Sequence, residues 1–251
     1  MPDWLTAQPI AHRAFHDRAR RRVENTMSAV TAAIGRGFAI EVDLQLTADE
    51  QAIVFHDDTL DRLTEGSGRV DSMALSAIRN IRFREGDDRI PTFEELLEEV
   101  AGRVPLVLEL KSAWTGDRRL ERQVASALGE YAGPAAVMSF DPASMRAMRY
   151  LVPHIPRGLI ADRFAKENWP EIPVHYRFAL RHLVAASYVA PQFIAYDVHA
   201  LPASAPLLLR HVFDLPLLTW TVRTAEDRAI ASRWANQMIF EGFDPRTFVG
   251  E

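Results

Sequence analysis

The sequence predicts an α/β protein of the (β/α)₈ TIM-barrel class, with a short insertion after the second barrel strand. Short apolar runs rich in β-branched residues alternate with segments of helical period along the chain, which indicates parallel strands joined by helices. The count is close to eight such units, and 251 residues suit one closed barrel. We therefore expect residues 1–251 to form a single domain. An open doubly wound sheet is the runner-up, disfavoured because no glycine-rich phosphate loop follows the first strand.

Sequence patterns predict where three of the helices begin. Thr92 and Glu95 have the spacing of a capping box, and the apolar stripe that follows them predicts a helix. Asp141-Pro142 is typical of an N-cap followed by proline at the first helical position. A further helix is expected near Thr224. The strand candidates are residues 8–12, 38–44, 52–56, 104–111, 135–140, 155–160, 193–196, 217–222 and 237–240.

Residues 57–91 interrupt this alternation. They contain Gly66, Gly68, Gly86, several aspartates and Pro91. A stretch of this length between regular elements is usually a lid or an insertion rather than a simple connection. We expect it to form a small insertion over the barrel mouth.

Composition narrows the function classes. The chain contains no cysteine, which excludes disulfides, thiolate zinc sites and cysteine nucleophiles. Its net charge of −5 disfavours general nucleic-acid binding. The sequence shows no basic segment followed by a long apolar run at its start and no membrane span, so we expect a cytoplasmic protein. Its expected partner is a small molecule, and the sequence leaves open whether the protein forms a homo-oligomer.

Two strand candidates carry acidic side chains on one face. Glu41 and Asp43 alternate with Ile40, Val42 and Leu44, so both carboxylates point to the same side. Adjacent buried carboxylates repel each other, and a divalent cation is the simplest compensation. The alternative is a solvent-facing side of an antiparallel strand. That interpretation weakens in a parallel barrel, where both faces are normally covered.

A second acidic strand, Leu108 to Lys111, repeats the pattern. Glu109 and Lys111 share one face, while the leucines share the other. Glu109 is expected to complete a site of oxygen ligands, with Lys111 available to a phosphate oxygen. A simple buried pair between Glu109 and Lys111 is the alternative.

Two histidines, His12 and His56, end strand candidates. The ends of barrel strands are where catalytic residues of such enzymes lie, and imidazole takes or gives a proton near neutrality. A lone histidine at such a place is more often structural, but two of them flanking a carboxylate pair indicate a site. Arg13 follows His12 directly and offers a planar fork that suits phosphate.

These residues belong to a set of motifs spread over nearly the whole chain. Together they resemble the signature of the glycerophosphodiester phosphodiesterase family, and the ordered combination is specific although each motif alone is weak. The motifs are His12-Arg13, Glu24-Asn25-Thr26, Glu41-Val42-Asp43, Thr47-Ala48-Asp49, His56-Asp57, Leu108-Glu109-Leu110-Lys111, Ser139-Phe140-Asp141 and Trp220-Thr221-Val222.

The resemblance implies a metal-dependent phosphodiesterase that cleaves glycerophosphodiesters to glycerol phosphate and an alcohol. By this resemblance one divalent cation, Ca²⁺ or Mg²⁺, is bound by Glu41, Asp43 and Glu109. His12 and His56 form the general acid–base pair. The remaining implied contacts to substrate or site are Arg13, Lys111, Asn25 and Trp220.

The chain departs from the family pattern at a few positions. Ala14 stands where the family usually has glycine, and Arg223 where asparagine is frequent; Arg223 is expected to influence which head group is accepted. Three rival functions stay open. One is cleavage of lysophospholipid head groups with a cyclic phosphate product, which requires an apolar entry for an acyl chain. The others are a non-catalytic barrel that binds polyol phosphates and, less favoured, a metal-dependent amidohydrolase.

Overall fold

Eight parallel strands close into a barrel in the computed structural model, which describes residues 2–247. The first strand pairs with both the second and the last, so that Ile10 lies opposite Ala39 on one side and Ile239 on the other. Prediction of the TIM-barrel class is thereby confirmed. The barrel strands are β1 (Ile10–Ala11), β2 (Ala39–Leu46), β4 (Leu106–Leu110), β5 (Ala135–Ser139), β6 (Arg157–Ala161), β7 (Phe193–Asp197), β8 (Leu217–Val222) and β9 (Gln237–Phe240); β3 (Ala52–Val54) lies outside the barrel.

Strand β3 corrects one sequence-based expectation. The run 52–56 was expected to act as a barrel strand with His56 at its end, neighbouring the strand of His12. Instead β3 pairs antiparallel with β2, with Val54 opposite Leu44. The reason is the connection: residues 47–51 form a tight turn in which Thr47 accepts a hydrogen bond from the Gln51 amide. Such a turn is far too short for a parallel crossover.

Ten α-helices accompany the strands within residues 2–247. The capping box of Thr92 and Glu95 and the Asp141 N-cap with Pro142 both form as predicted. A second capping box joins Thr224 and Asp227. The helices are α1 (Trp4–Ala7), α2 (Met27–Arg36), α3 (Leu75–Ile78), α4 (Phe93–Val100), α5 (Arg119–Glu130), α6 (Pro142–Leu151), α7 (Val174–Arg181), α8 (Ala186–Val189), α9 (Ser204–Val212) and α10 (Ala225–Trp234).

The barrel has two apolar layers because side chains alternate along each strand. Inward residues such as Ile10, Val107 and Phe193 fill the interior, and outward residues such as Ile40 and Leu108 pack under the helices. Both layers are almost completely buried. None of the described helices is long and apolar enough to cross a bilayer.

Residues 57–91 form a small unit beside the barrel. Their apolar side chains, among them Leu60, Val70 and Phe83, pack with Ile53 and Phe55 in a cluster of their own. The unit is tied to the site described below through Arg62, which pairs with Glu24 and Asp57. It contains α3 and a short 3₁₀ turn at Val70–Ser72.

Candidate active site

Three carboxylates converge at one end of the barrel interior. Glu41 and Asp43 follow Ala39 on the inward face of β2, and Glu109 follows Val107 on the inward face of β4. Asp43 and Glu109 are register partners in the parallel ladder. One oxygen from each of the three lies within 4.8 Å of the others. The same alternation that fills the lower barrel with apolar groups therefore brings these acids together near its mouth.

The carboxylates interact electrostatically with one another and with nearby positively charged side chains. Burial, and then the charges of Asp43 and Glu109, raise the pKa of Glu41 well above its ordinary value. Burial also acts to raise the pKa of Asp43, but the charges of Lys111, His56 and Arg13 outweigh it and lower that pKa. Lys111 Nζ lies 2.7 Å from Glu109 Oε1 and 3.0 Å from Asp43 Oδ1. Lys111 thus neutralises part, but not all, of the negative charge.

A divalent cation fits this donor set. Calcium and magnesium both prefer carboxylate oxygens, and Glu41, Asp43 and Glu109 provide three of them at mutual distances suited to one ion. Burial and the neighbouring charges of Asp43 and Glu109 both raise the pKa of Glu41, so its charged form is disfavoured without a further positive charge nearby. A bound cation would relieve that repulsion directly.

His12 stands at the end of β1, beside these carboxylates. Its Nδ1 lies 2.9 Å from Oε2 of Glu241, and its Nε2 lies 3.9 Å from Oε2 of Glu41. Burial lowers the pKa of His12, against the opposing hydrogen bond to Glu241. Glu241 also accepts a hydrogen bond from Arg223. Because Nδ1 donates to a carboxylate, Nε2 of the neutral ring is left as the proton acceptor.

His56 reaches the same cavity from the segment that follows β3. Its Nδ1 lies 2.7 Å from Oδ1 of Asp57, and Asp57 is held in turn by the guanidinium of Arg62. Burial would raise the pKa of Asp57, but the hydrogen bonds from His56 and Arg62 lower it. His56 and His12 therefore share one arrangement: Nδ1 meets a carboxylate, and Nε2 has no hydrogen-bond partner among residues 2–247.

Arg13 and Asn25 hold the first strand–helix loop against the acidic strand. Arg13 NH1 donates to Glu24 at 2.6 Å, and its Nε lies 3.7 Å from Asp43 Oδ2. Asn25 is buried and donates from Nδ2 to Asp43 Oδ2 at 2.8 Å. The Arg13 amide donates to Glu41. Both residues thus contact the carboxylate cluster that the sequence associated with them.

A cavity of about 330 Å³ joins these groups. Trp220 forms part of its wall, and the indole Nε1 is buried without a hydrogen-bond partner among residues 2–247. Arg223 lies at the same cavity. The lining residues that the sequence predicted are His12, Arg13, Glu41, His56, Glu109, Lys111 and Trp220, whereas Asp43 and Asn25 lie behind them.

Sequence reasoning missed the two carboxylates that orient the histidines. Asp57 was seen only as the neighbour of His56, and Glu241 was not singled out. A signal existed for Glu241: it is the first residue after β9, at the strand end where barrel enzymes carry their functional groups. Asp197, the last residue of β7, and His199, two residues further on, also line the cavity.

Comparison with known proteins agrees with this geometry. Residues 12–243 match the family model described as the glycerophosphoryl diester phosphodiesterase family. The chain is 34% identical over 170 residues to a glycerophosphodiester phosphodiesterase of Caldanaerobacter subterraneus, covering 64% of this chain and 69% of that protein. A phosphodiesterase of Oleispira antarctica, solved with the product sn-glycerol-3-phosphate, superposes with a TM-score of 0.74 at 20% identity, covering 93% of this chain and 92% of that one. A glycerophosphodiester phosphodiesterase of Agrobacterium tumefaciens gives 0.69 at 21% identity, covering 92% and 95%. The chain therefore belongs to the glycerophosphoryl diester phosphodiesterase family of phosphodiester-hydrolysing enzymes.

Proposed function

We propose that this enzyme hydrolyses glycerophosphodiesters to glycerol phosphate and an alcohol with one divalent cation and with His12 and His56 as its acid–base pair. The observation that carries the proposal is the shared arrangement of the two imidazoles. Each presents a free Nε2 and has its Nδ1 beside a carboxylate, and both line the cavity that contains Glu41 and Glu109. Proton transfer at two points is what cleavage of a phosphodiester requires.

The cation site would consist of Glu41, Asp43 and Glu109. When bound there, Ca²⁺ or Mg²⁺ would neutralise negative charge that grows on the phosphoryl oxygens. Lys111 lies beside the same carboxylates and adds a fixed positive charge to the cavity wall. Arg13 is held by Glu24 and Asp43 and lines the same cavity, where its guanidinium can bind a second phosphate oxygen.

The histidines supply the proton steps. One neutral imidazole accepts a proton at Nε2 from the attacking hydroxyl, while the other, protonated, donates from Nε2 to the departing alcohol oxygen. Glu241 and Asp57 keep each Nδ1 protonated and stabilise the imidazolium form. The attacking group is either water or a glycerol hydroxyl, the second giving a cyclic phosphate first. The buried N–H of Trp220 is available to a substrate oxygen in the cavity.

Replacement of each histidine tests the proposal. We expect His12→Asn and His56→Asn each to lower turnover of glycerophosphocholine by at least ~10²-fold, the lower end of acid–base contributions. His154→Asn is the matched control, because His154 is exposed outside this cavity. Alcohol release is measured with a coupled assay, and circular dichroism checks the fold. Turnover close to that of the control in both variants would remove the histidines from the mechanism.

A second candidate activity is cleavage of lysophospholipids, favoured by a neighbouring apolar recess. A cavity of about 290 Å³ shares His56 and Lys111 with the main one and is walled by Trp114, Phe140 and Trp169. The rings of Trp114 and Trp169 meet edge to face with centroids 6.0 Å apart, and those of Phe140 and Trp169 are tilted with centroids 5.1 Å apart. Such a wall suits the acyl chain of a lysophospholipid, which stays on the phosphate product when the head group leaves. Product analysis on a lysophospholipid and on glycerophosphocholine separates the two activities, since only the first would give a cyclic phosphate that retains an acyl chain.

Further expectations remain predictions. These are the single-domain organisation with residues 57–91 covering the mouth, the cytoplasmic location and the identity of the metal. Residues 57–91 have a structural basis for a role at the mouth, because Arg62 bridges Glu24 and Asp57 beside the two catalytic candidates.

A further inference from the structure

The large apolar side chains that are exposed among residues 2–247 all belong to one stretch of the chain. Nine large apolar residues within residues 2–247 are exposed to solvent, and all of them fall between residues 150 and 213. Isolated exposed apolar residues are normal on a protein surface, but their concentration in one part of the chain is a sign of an interaction surface. The nine are Tyr150, Leu151, Val174, Phe178, Val184, Tyr188, Leu208, Val212 and Phe213.

These residues lie on consecutive elements around the barrel. Helices α6, α7, α8 and α9 follow β5, β6 and β7, which are neighbours in the sheet. Helix α6 is tied to α8 by a hydrogen bond from Arg149 to the carbonyl of Tyr188. On α7 the ring of Phe178 lies 4.2 Å from the ring of His182. We call the exposed side chains of residues 142–213 the basic apolar wall.

The same part of the chain carries an excess of positive charge. Residues 142–213 contain eight arginines and lysines but four aspartates and glutamates, whereas the whole chain contains 29 and 34. Among its exposed side chains five are basic and two, Glu167 and Glu171, are acidic, so the wall is cationic on a protein that is acidic overall. Its basic side chains that are exposed are Arg146, Arg149, Arg163, Lys166 and Arg181.

The charge decides between possible occupants. Most homodimers are two-fold symmetric, so that the same patch meets itself. A dimer formed through this wall would therefore place one set of arginines against another. Exposed aromatic and aliphatic groups flanked by arginine and lysine are instead what an interfacial helix presents to anionic lipid head groups. We propose that the basic apolar wall docks this enzyme on the surface of an anionic lipid bilayer, with α7 as the helix that enters the interface.

Helix α7 also connects the wall to the catalytic cavity. Tyr176 on α7 meets the ring of Trp114 with centroids 6.2 Å apart, and Trp169 precedes α7 in the chain. Trp114 and Trp169 wall the apolar recess that contains His56. Docking through α7 would place the edge of this recess at the level of the lipid head groups. The docking proposal itself does not depend on the substrate, because it concerns the outer face of the helices.

Co-sedimentation with vesicles tests the proposal. We expect the full chain to sediment with vesicles of phosphatidylglycerol and phosphatidylcholine, to bind pure phosphatidylcholine vesicles weakly, and to dissociate as salt is raised. Two variants target the wall independently: Val174→Ser/Phe178→Ser removes apolar contacts, and Arg181→Glu reverses a charge. Each is expected to weaken partitioning about tenfold or more.

The matched control is Arg82→Glu, which makes the same charge change at an exposed arginine in residues 57–91. It is expected to bind vesicles as the unmodified protein does. Failure of the unmodified protein to bind anionic vesicles would overturn the proposal. Equal weakening by Arg82→Glu and Arg181→Glu would do so too, because net charge alone would then explain binding. Self-association that disappears in Val174→Ser/Phe178→Ser, without vesicle binding, would identify a second copy of the chain as the occupant. Thermal unfolding of every variant confirms that the fold is retained.

Discussion

The carboxylate of Glu241 offers a direct test of how the site works. It receives Nδ1 of His12 at 2.9 Å and the guanidinium of Arg223 at 2.9 Å. Glu241→Gln keeps an oxygen that can accept a hydrogen bond but removes the charge that stabilises protonated His12. Because Glu241 lies outside the carboxylate cluster, the change should leave the proposed cation site in place. Its effect therefore isolates the acid–base function of His12.

The size of the effect follows from the electrostatics of Glu241. Burial would raise the pKa of Glu241, but the hydrogen bond and charge of His12 and the charge of Arg223 lower it to about 2. Relative to an ordinary value of 4.5, this corresponds to roughly 3 kcal/mol favouring the charged form. The side chain is 23% exposed and two partners share the interaction, so solvent screening leaves about 1–2 kcal/mol for His12. Loss of that amount from the transition state predicts a fall in kcat/KM of about 5- to 30-fold.

The assay is steady-state hydrolysis of glycerophosphocholine at neutral pH and saturating metal. Two controls separate the possible causes. Glu85→Gln removes a glutamate that pairs with Arg18 but touches neither histidine, and we expect it to be within about twofold of the unmodified enzyme. Arg223→Gln leaves the contact between Glu241 and His12 but removes the other partner of Glu241 at the cavity, so its effect shows how much of the change in Glu241→Gln comes from that pair. A Glu241→Gln enzyme with unchanged kcat/KM would refute the assignment of Glu241 as the residue that positions His12.

Three further outcomes are expected. Dialysis against EDTA should abolish activity, and Ca²⁺ or Mg²⁺ should restore it; full activity in chelator would rule out a required cation at the carboxylate cluster. Gly158→Ala should lower the free energy of unfolding by about 1–3 kcal/mol in a denaturant titration, since a Cβ at this position would lie 2.2 Å from the ring of Phe193; an unchanged midpoint would show that the ring moves aside freely. The stability difference between the unmodified protein and Glu241→Gln should depend on pH. Because the folded-state pKa of Glu241, about 2, lies below its ordinary value of 4.5, the charged carboxylate stabilises the fold above pH 4.5 and this contribution fades as the pH falls towards 2; a difference that is constant from pH 7 to 3 would contradict the pKa.

Much of the barrel was readable because strand alternation and helix caps are local signals. That Glu41 and Asp43 share one face of their strand follows from their spacing alone, and the capping box at Thr92 forms as its sequence requires. Local patterns do not predict which strands pair with each other. The run at Ala52–Val54 has the composition of a barrel strand, yet it lies outside the barrel. The short connection between β2 and β3, rather than the sequence of β3, determines that β3 pairs antiparallel with β2.

Contacts between residues that are far apart in the sequence were the part of the site that no sequence pattern predicted. Glu241 and His12 are separated by 229 positions, and no spacing rule links them. They meet because closure of the barrel brings β9 beside β1, with Phe240 opposite Ala11. Once closure is assumed, residues that directly follow adjacent strands become neighbours, and Glu241 then falls next to His12. The hypothesis of a closed barrel thus contained a contact that motif comparison alone did not reveal.

The inward face of β2 shows how the fold can tolerate such a charged site. Ala39 lies in the apolar interior, whereas Glu41 and Asp43, further along the same face, are only 1% exposed. Burying carboxylates is unfavourable unless each is paired or hydrogen-bonded. Here Asn25 and the Arg13 amide provide contacts from the first strand–helix loop, and Lys111, the residue that follows β4, provides another. The apolar lower half of the barrel fixes those segments in place, so three carboxylates can lie buried together at its mouth, close enough to hold one cation.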